Sequence, residues 1–196
     1  MMKVAKVSTR GKLLARKAKP ELTHYHEGGE EIYFGLGKCF LGNLLVAESK
    51  KGICVVSVGD DANKLVLRLH AKFPQANLIA GDDKFQRVVM DVIKYIKSPQ
   101  VKNQFKLDVR GTEFQKKVWA AVRKIPCGAT ASYADIAERV GSPRAVRAVG
   151  TTCSVNPLAV LVPCHRVVRS GSPAKRQQGG VSLKETLLEL EAKHNR

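Results

Sequence analysis

The stretch from Ser132 to Thr151 reads SYADIAERVGSPRAVRAVGT and decides the fold class of the second half of this 196-residue chain. Ser132, followed three residues later by Asp135, is typical of the start of a helix. Gly141 is suited to end that helix, and Pro143 at a first helical position is suited to begin another. Two short helices joined by a tight glycine turn have the spacing of a helix-turn-helix.

Patterns on both sides of this motif extend the prediction. Thr112 and Gln115 have the spacing of a capping box and predict a helix that runs through Lys124. Ser182 and Glu185 predict a C-terminal helix in the same way. Short apolar runs between turns predict an antiparallel meander, and apolar residues at helical spacing predict two helices. The predicted strands are Ile32–Leu36, Leu44–Ala47 and Ile53–Val58, and the predicted helices are Asp60–Phe73 and Asp83–Ile96.

A turn signal at Ser98-Pro99 indicates a linker that reaches Phe105. We therefore predict three parts of the chain: a basic arm at residues 1–30, an α/β domain at residues 31–105 and a mainly helical domain at residues 106–196.

The charge of the chain favours a polyanionic partner. The formal net charge is +17 and the pI is about 9.9. Seven of these charges precede the first acidic residue, which leaves +10 for the rest of the chain. Lysine and arginine release counterions from phosphates, so nucleic acid is a better explanation than solubility alone. The alternative is a soluble basic protein with a basic tail.

Compartment and membrane contact follow from other features. The five cysteines are odd in number and contain no Cys-x-x-Cys pair, which predicts a reducing compartment, and we expect the cytoplasm. No apolar run is long enough to span a membrane, and a signal-peptide core is absent, so no membrane partner is expected.

Two arginines of the helix-turn-helix are candidates for DNA contact. Arg144 and Arg147 are three residues apart and would share one face of a helix that starts at Pro143. Small neighbours, including Thr151, would allow the backbone to approach a groove. The alternative is an amphipathic helix whose arginines are merely solvated, because many helix-turn-helix patterns bind nothing.

The stretch from Val160 to Val168 reads VLVPCHRVV and carries the candidate nucleophile, Cys164. A thiol between a proton acceptor, His165, and a fixed positive charge, Arg166, can be held as the nucleophilic thiolate. Adjacent side chains of a strand point to opposite faces, so a direct bond to His165 requires a turn after the preceding proline. A bridging water is the alternative. The competing interpretation is an inert buried cysteine beside a surface histidine.

The partner of His165 and the roles of the other cysteines are the remaining questions at this site. A carboxylate should orient the imidazole, and Glu185, Glu189 and Glu191 are all candidates. The remaining cysteines lack a basic partner nearby and are interpreted as structural: Cys39, Cys54, Cys127 and Cys153. A zinc site built from Cys39, Cys54, His24 and His26 matches no compact ligand pattern.

The sequence resembles the 6-O-alkylguanine-DNA alkyltransferases, and most closely the C-terminal half of the bacterial adaptive-response proteins. The motifs that carry the resemblance are Pro163-Cys164-His165-Arg166-Val167, Asn156-Pro157, Arg147-Ala148-Val149-Gly150, Ile125-Pro126-Cys127-Gly128 and Ser132-Tyr133. It extends from about Leu107 to the end and, more weakly, from about Phe34 to Phe73. The implied fold is an RNase-H-like α/β domain followed by a winged helix-turn-helix domain that contains the active-site cysteine.

The implied activity is direct reversal of DNA damage. Members of the family flip 6-O-methylguanine, and less efficiently 4-O-methylthymine, out of the duplex through the minor groove. They transfer the alkyl group irreversibly to a cysteine in a single turnover. The implied partner is double-stranded DNA that contains 6-O-alkylguanine, the expected state is a monomer, and neither a metal nor another cofactor is expected.

The resemblance also assigns roles residue by residue. Cys164 corresponds to the alkyl acceptor, His165 to the base that deprotonates it through a water, and Glu191 to the carboxylate that orients His165. Tyr133 would donate a proton or hydrogen bond to the departing guanine, and Arg147 would take the place of the extruded base. Further DNA contacts are expected at Ser132, Arg144, Thr151, Asn156 (which would also hold the turn before the active-site strand) and Arg166. The lesion pocket is expected to include Tyr133, Val167, Gln177, Gln178 and Lys184.

One departure from the family pattern keeps two alternatives open. Gln177 stands where the family has a tyrosine, and Gln178 where a residue near the lesion oxygen is expected. This loss of an aromatic wall predicts slower or altered alkyl transfer. The alternatives are a non-catalytic alkyltransferase-like protein that only binds lesions, and a basic helix-turn-helix regulator with a structural Cys164.

Overall fold

The computed structural model describes residues 26–100, 104–170 and 183–194. The contacts divide the chain into two compact units, Met1–Lys94 and Tyr95–Arg196, so the division precedes the predicted boundary at residues 105–106. Residues 1–25 of the predicted basic arm lie outside the described residues.

The first unit is built on a four-stranded mixed sheet with the strand order β3-β2-β1-β4. Its strands are β1 (Glu31–Cys39), β2 (Gly42–Ser49), β3 (Gly52–Gly59) and β4 (Asn77–Ala80). The first three form the predicted antiparallel meander, which is confirmed. The fourth strand was not predicted, and it pairs in parallel with β1, so the sheet is mixed.

Two helices follow the meander, as predicted: α1 (Ala62–Lys72) and α2 (Asp83–Lys97). Asp61 caps α1 because its carboxylate accepts from the backbone N–H groups of Asn63 and Lys64 at 2.8 and 3.2 Å. Leu65 and Leu69 then point into a core cluster with the first three strands. The helix is therefore held both by its cap and by its apolar face.

Glycines in β1 allow α2 to pack closely on the sheet. A Cβ at Gly35 would meet the Val89 side chain at 2.8 Å, and a Cβ at Gly37 would meet the Ile93 side chain at 2.8 Å. Both distances are shorter than van der Waals contact, so any larger residue would push the helix away. The small residues in this strand are thus a packing requirement.

The second unit is mainly helical. Its elements are α3 (Glu113–Arg123), β5 (Ala131–Ser132), α4 (Tyr133–Arg139), α5 (Val146–Ser154), a 3₁₀ turn (Cys164–Arg166), β6 (Val167–Val168) and α6 (Leu183–His194). β5 and β6 form a short parallel pair. The predicted start of α3 is confirmed, because Thr112 and Gln115 form a reciprocal capping box. Ser182, the predicted cap of α6, lies outside the described residues.

The helix-turn-helix is formed by α4 and α5, but its second helix begins later than expected. Gly141 ends the first helix with a φ of +72°, as predicted. The backbone N–H of Ala145 then donates to the carbonyl of Ser142 at 2.8 Å, which closes a turn with Pro143 in its second position. Arg144 therefore lies in the turn before Val146, and the prediction that it shares a helical face with Arg147 is wrong.

Buried contacts join the helices of this unit. Trp119 of α3 is almost fully buried, and its indole N–H donates to the backbone carbonyl of Thr152 in α5 at 3.2 Å. Ile136, Leu158 and Leu161 are also buried. Among the described residues, none of the helices combines the length and the apolar character that crossing a bilayer requires.

Candidate functional site

Two tight turns carry the chain into the candidate active site. The first is a γ-turn at Val160, which has a φ of +69° and lies between the bonded carbonyl of Ala159 and N–H of Leu161, 2.8 Å apart. A β-branched residue in this region is strained by about 1–3 kcal/mol. The burial of Val160 and Leu161 holds the strained turn in place.

The second turn follows Pro163 and places Cys164. The N–H of Cys164 donates to the carbonyl of Val162 at 2.8 Å, and the N–H of Arg166 donates to the carbonyl of Pro163 at 2.9 Å. Residues Cys164–Arg166 thus form a 3₁₀ turn and do not continue the strand suggested by the apolar run. The turn leaves Cys164 half-buried and buries His165.

Asn156 joins the end of α5 to this segment. Its amide Nδ2 donates to the carbonyl of Val162 at 2.9 Å, and its Oδ1 accepts from the N–H of Leu158 at 2.9 Å. One side chain therefore satisfies backbone groups that the tight turns leave without secondary-structure partners. The resemblance implied such a role for Asn156.

A buried network of charges lies behind the nucleophile. The imidazole Nε2 of His165 and Oε1 of Glu191 are 2.8 Å apart. Arg166 donates to the same carboxylate through Nε, at 3.1 and 3.0 Å, and through Nη2, at 2.8 Å. Its Nη1 donates to the carbonyl of Ile125 at 2.7 Å, and the N–H of Gly128 donates to Glu191 Oε2 at 3.1 Å. Glu191 is 1% exposed, so these partners replace its water.

This network fixes the ionisation of Glu191 and the tautomer of His165. Burial alone would raise the pKa of Glu191, but hydrogen bonds from His165, Arg166 and the Gly128 backbone outweigh it and lower that pKa to about 2. An ionised carboxylate only accepts hydrogen bonds. The Nε2 of His165 must therefore carry the hydrogen, and Nδ1 is left to accept a proton.

The structure corrects the expectation that Arg166 contacts DNA. Its side chain belongs to a residue that is only 5% exposed, and its guanidinium is committed to Glu191 and Ile125. A buried guanidinium held in this way does not reach a phosphate. Arg166 instead helps to hold the carboxylate that contacts His165.

Cys164 faces a cavity of about 320 Å³ in the second unit. The residues of its wall that matter most come from three helices and the turn segment: Tyr133, Cys153, Asn156, Val160, Cys164 and Lys184. Such a volume lies at the lower end of the range for small-molecule pockets, about 300–1,000 Å³. The cavity can therefore accept a group the size of one flat ring system.

Of the predicted pocket residues, two line the cavity, one does not, and two lie outside the described residues. Tyr133 and Lys184 line the cavity, and Lys184 Nζ donates to the carbonyl of Val167 and lies 5.6 Å from the centroid of the Tyr133 ring. The side chain of Val167 is fully buried and is not part of the wall, so that prediction is wrong. Gln177 and Gln178 lie outside the described residues.

The surroundings of Cys164 raise the pKa of its thiol and so favour the protonated form. A hydrogen bond with Cys153, burial and the charge of Cys153 raise the pKa of the Cys164 thiol. A hydrogen bond with Asn156 and the charge of Lys184 only partly offset this effect. Alkyl transfer at neutral pH therefore requires a group that takes the proton of the Cys164 thiol. Nδ1 of His165, the next residue in the sequence, is the candidate.

Cys153 is the residue of the site that sequence reasoning missed. It was interpreted as a core residue, but it lies on α5 and lines the same cavity as Cys164. Its hydrogen bond with Cys164 lowers the pKa of the Cys153 thiol. Gly150, three residues earlier on α5, lines the same cavity, but the sequence carries no local signal for this shared wall.

The expected DNA contacts other than Arg166 remain near the surface. Arg144, Arg147 and Thr151 are exposed, and Thr151 Oγ1 donates to the carbonyl of Arg147 at 3.2 Å. Ser132 is partly exposed, and its hydroxyl accepts from the N–H of Asp135 at 3.0 Å as the cap of α4. The start of α5 therefore presents Arg147 to solvent.

Comparison with known proteins defines the class first. Residues 32–109 match the family model described as the ribonuclease-like domain of 6-O-methylguanine DNA methyltransferase. Residues 113–193 match the model described as the DNA-binding domain of the same family. Fold and site thus agree with a DNA methyltransferase of the cysteine-acceptor class.

Individual relatives and a solved structure resemble most of the chain. The chain is 43% identical to the bifunctional transcriptional activator/DNA repair enzyme Ada of Escherichia coli over 172 residues, which cover 87% of this chain and 49% of that protein. It is 35% identical to the inducible methylated-DNA–protein-cysteine methyltransferase of Bacillus subtilis, with coverage of 76% and 84%. The Mycobacterium tuberculosis OGT structure in complex with DNA aligns with a TM-score of 0.67 at 30% identity, with coverage of 82% and 93%.

These similarities show that the chain belongs to the methylated-DNA–protein-cysteine methyltransferase family. It spans about half the length of the Escherichia coli relative.

Proposed function

We propose that this protein repairs DNA by moving an alkyl group from the O6 atom of guanine to the sulfur of Cys164. The observation that carries the proposal is the placement of Cys164 on the wall of a cavity, beside a histidine whose tautomer is fixed by a buried carboxylate. Family membership supports the same reaction, because the Bacillus subtilis relative is named for it.

The chemistry follows from the geometry. His165 takes the thiol proton of Cys164 through a water, and the resulting thiolate attacks the methyl carbon in line with the C–O bond. The S–C bond forms as the C–O bond breaks, and the electron pair of that bond leaves with the guanine. Tyr133, on the cavity wall, donates a hydrogen bond to the departing guanine anion. That anion takes up one proton from solvent, and His165 returns the thiol proton of Cys164 to solvent, so the charges balance.

Each molecule acts once. The product on Cys164 is a thioether, which has no good leaving group at neutral pH. No step regenerates the thiol, so the protein is consumed in proportion to the lesions that it repairs.

Access to the lesion requires base flipping. A base stacked in a duplex cannot enter a cavity of about 320 Å³ on the protein, so the damaged guanine is extruded first. Extrusion costs a few kcal/mol, and less for a base that pairs poorly, which favours lesions. Arg147, exposed at the start of α5, enters the minor groove and fills the space that the base leaves.

Three further features belong to the proposal. The preferred substrate is 6-O-methylguanine, with weaker action on 4-O-methylthymine, which presents a smaller ring to the same cavity. The protein acts as a monomer, because Cys164, His165, Glu191 and Tyr133 all come from one chain. The reaction takes place in the cytoplasm, where thiols stay reduced.

The test measures loss of the lesion from DNA. Duplex with one 6-O-methylguanine is mixed with excess wild-type protein, with Cys164→Ala or with the control Cys39→Ala, and the nucleosides are then separated. Wild type and the control should restore guanine, and Cys164→Ala should not. Lesion-selective binding without restoration would indicate a lesion-binding protein, and binding without lesion preference would indicate a helix-turn-helix regulator.

A further inference from the structure

The second cysteine of the cavity has no part in the proposed alkyl transfer. Cys153 lies on α5, eleven residues before Cys164 in the sequence, and both side chains face one cavity. Each thiol also shifts the pKa of the other, which is raised for Cys164 and lowered for Cys153. Two thiols that share one cavity form a dithiol, which has chemistry that a single cysteine lacks.

The backbone segments that carry the two thiols are held together. Asn156 lies three residues after Cys153 and donates to the carbonyl of Val162, two residues before Cys164, at 2.9 Å. The fold therefore ties the end of the helix that carries Cys153 to the segment that carries Cys164, and both residues line one cavity.

Other described cysteines are not arranged in this way. Cys54 is buried in the first unit, where its thiol contacts the carbonyl of Ala47 at 3.5 Å. Cys39 lies in the same unit, at the end of β1. Cys127 is partly exposed, but burial and the charge of Glu191 raise the pKa of its thiol. Oxidation within the described residues should therefore concentrate on the pair in the cavity.

We propose that Cys153 and Cys164 form a reversible disulfide in the lesion cavity when the protein meets a peroxide. The disulfide would convert the Cys164 thiol into an S–S bond that cannot ionise to a thiolate, and it would bridge the cavity wall, so the oxidised protein could not accept an alkyl group. Reduction by a dithiol would restore it. Cys153 then protects an acceptor that can be used only once.

The reaction balances without any group that the protein must supply. One thiolate takes an oxygen atom from hydrogen peroxide, and hydroxide leaves, which gives a sulfenic acid. The second thiolate attacks that sulfur and displaces hydroxide, which forms the S–S bond. Two protons from the thiols neutralise the two hydroxides. Two thiols and one peroxide thus give one disulfide and two waters.

The site is the one used in the proposed function, but the disulfide can be measured separately. Its formation depends on the two sulfurs alone, whereas loss of repair on oxidation rests on the proposed function. A protein that forms the disulfide but never repairs DNA would refute only the repair proposal. A protein that repairs DNA but never forms the disulfide would refute only this inference.

The sequence makes the measurement simple. No lysine or arginine lies between Arg147 and Arg166, so trypsin releases both cysteines on one peptide, residues 148–166. The reduced full-length protein is treated with hydrogen peroxide, free thiols are blocked with iodoacetamide, and this peptide is weighed without reduction. Cys153→Ala and the control Cys39→Ala are treated in parallel.

In the wild type and in Cys39→Ala, we expect a peptide about 2 Da lighter than the dithiol form, because two hydrogen atoms leave, with neither sulfur blocked by iodoacetamide. Dithiothreitol should restore both the peptide and most of the alkyl-transfer activity. Cys153→Ala cannot form the lighter peptide, and stronger oxidation of its Cys164 to the sulfinic acid should not be reversed by dithiothreitol.

Two results would overturn the inference. One is a wild-type peptide in which iodoacetamide still blocks both cysteines after peroxide treatment. The other is a wild-type peptide that carries added oxygen atoms in place of the lighter form. Either result would mean that the two thiols of the cavity do not couple under oxidation.

Discussion

Glu191 is the residue on which the buried network depends. It is 1% exposed and accepts hydrogen bonds from His165, Arg166 and the Gly128 backbone. A carboxylate buried with fewer partners would be costly, because the loss of hydration is large. With these partners in place, it fixes the imidazole and balances the guanidinium charge.

Replacing Glu191 with Gln should therefore destabilise the protein strongly. The amide cannot balance the charge of Arg166, and breaking a buried ion pair typically costs about 3–5 kcal/mol. Urea unfolding would measure the change in the free energy of unfolding. The matched control is Glu189→Gln on the same helix, at an exposed position, which should change stability by less than about 0.5 kcal/mol. Equal effects of the two substitutions would contradict this account.

The same residue predicts how stability depends on pH. The pKa of Glu191 falls from an ordinary value of 4.5 to about 2 on folding. A lowered pKa means that the unfolded state binds a proton first, so this contribution is complete above pH 4.5 and is lost as the pH falls toward about 2. Unfolding of the wild type and of Glu191→Gln at several acidic pH values should show a smaller slope in the variant. Parallel slopes would count against the assignment.

At the scale of elements, the site depends on how α5 meets the turn segment. Asn156 follows α5 and bonds to backbone groups of Leu158 and Val162, while the γ-turn at Val160 stores strain. One amide side chain thus joins the end of α5 to the segment that leads to Cys164.

Asn156→Ala should loosen this junction. The carbonyl of Val162 and the N–H of Leu158 would lose their partner, which costs about 1–3 kcal/mol for a buried group. We expect lower stability and slower alkyl transfer at saturating DNA, because Cys164 would be held less firmly. Thermal unfolding and single-turnover rates would test this. If the variant were destabilised but its alkyl-transfer rate stayed normal, Asn156 would contribute to stability and would not position Cys164 for the reaction.

Arg147 tests the proposed DNA-facing role of α5. Its side chain is exposed, so removing it should leave folding intact. Arg147→Ala should weaken binding to a lesion duplex by about 1–3 kcal/mol. The control is Arg68→Ala, which removes the same charge from an exposed position on α1 of the first unit. Fluorescence titration at fixed salt would compare the affinities of the two variants for the lesion duplex. An equal loss of affinity in both would mean that Arg147 contributes only its charge and makes no specific contact.

At the scale of the whole molecule, the sequence predicts elements whose signals are local. The capping pairs of Thr112 with Gln115 and of Ser132 with Asp135 identify α3 and α4, because both members of each pair lie within one helical turn. In contrast, β4 is a short strand whose identity depends on pairing with β1 far away in the sequence. No local pattern reports such a partner.

Prediction of the site from the sequence is likewise limited to what local motifs report. The motif around Cys164 identifies the nucleophile, but the burial of Arg166 is decided by Glu191, 25 residues later. The surface role expected of this arginine was wrong for that reason. The position of Cys153 likewise depends on the packing of α5 against the turn segment, which spacing along the chain does not reveal.

The most direct test of the central claim is the intact mass of the protein after it meets an excess of duplex containing 6-O-methylguanine. We predict a gain of one methyl group per protein, located on Cys164 by peptide mapping and absent from Cys164→Ala. The methyl count should stay at one however large the excess of DNA. An unchanged mass while the lesion disappears, or a methyl group on Cys153, would contradict the proposed mechanism.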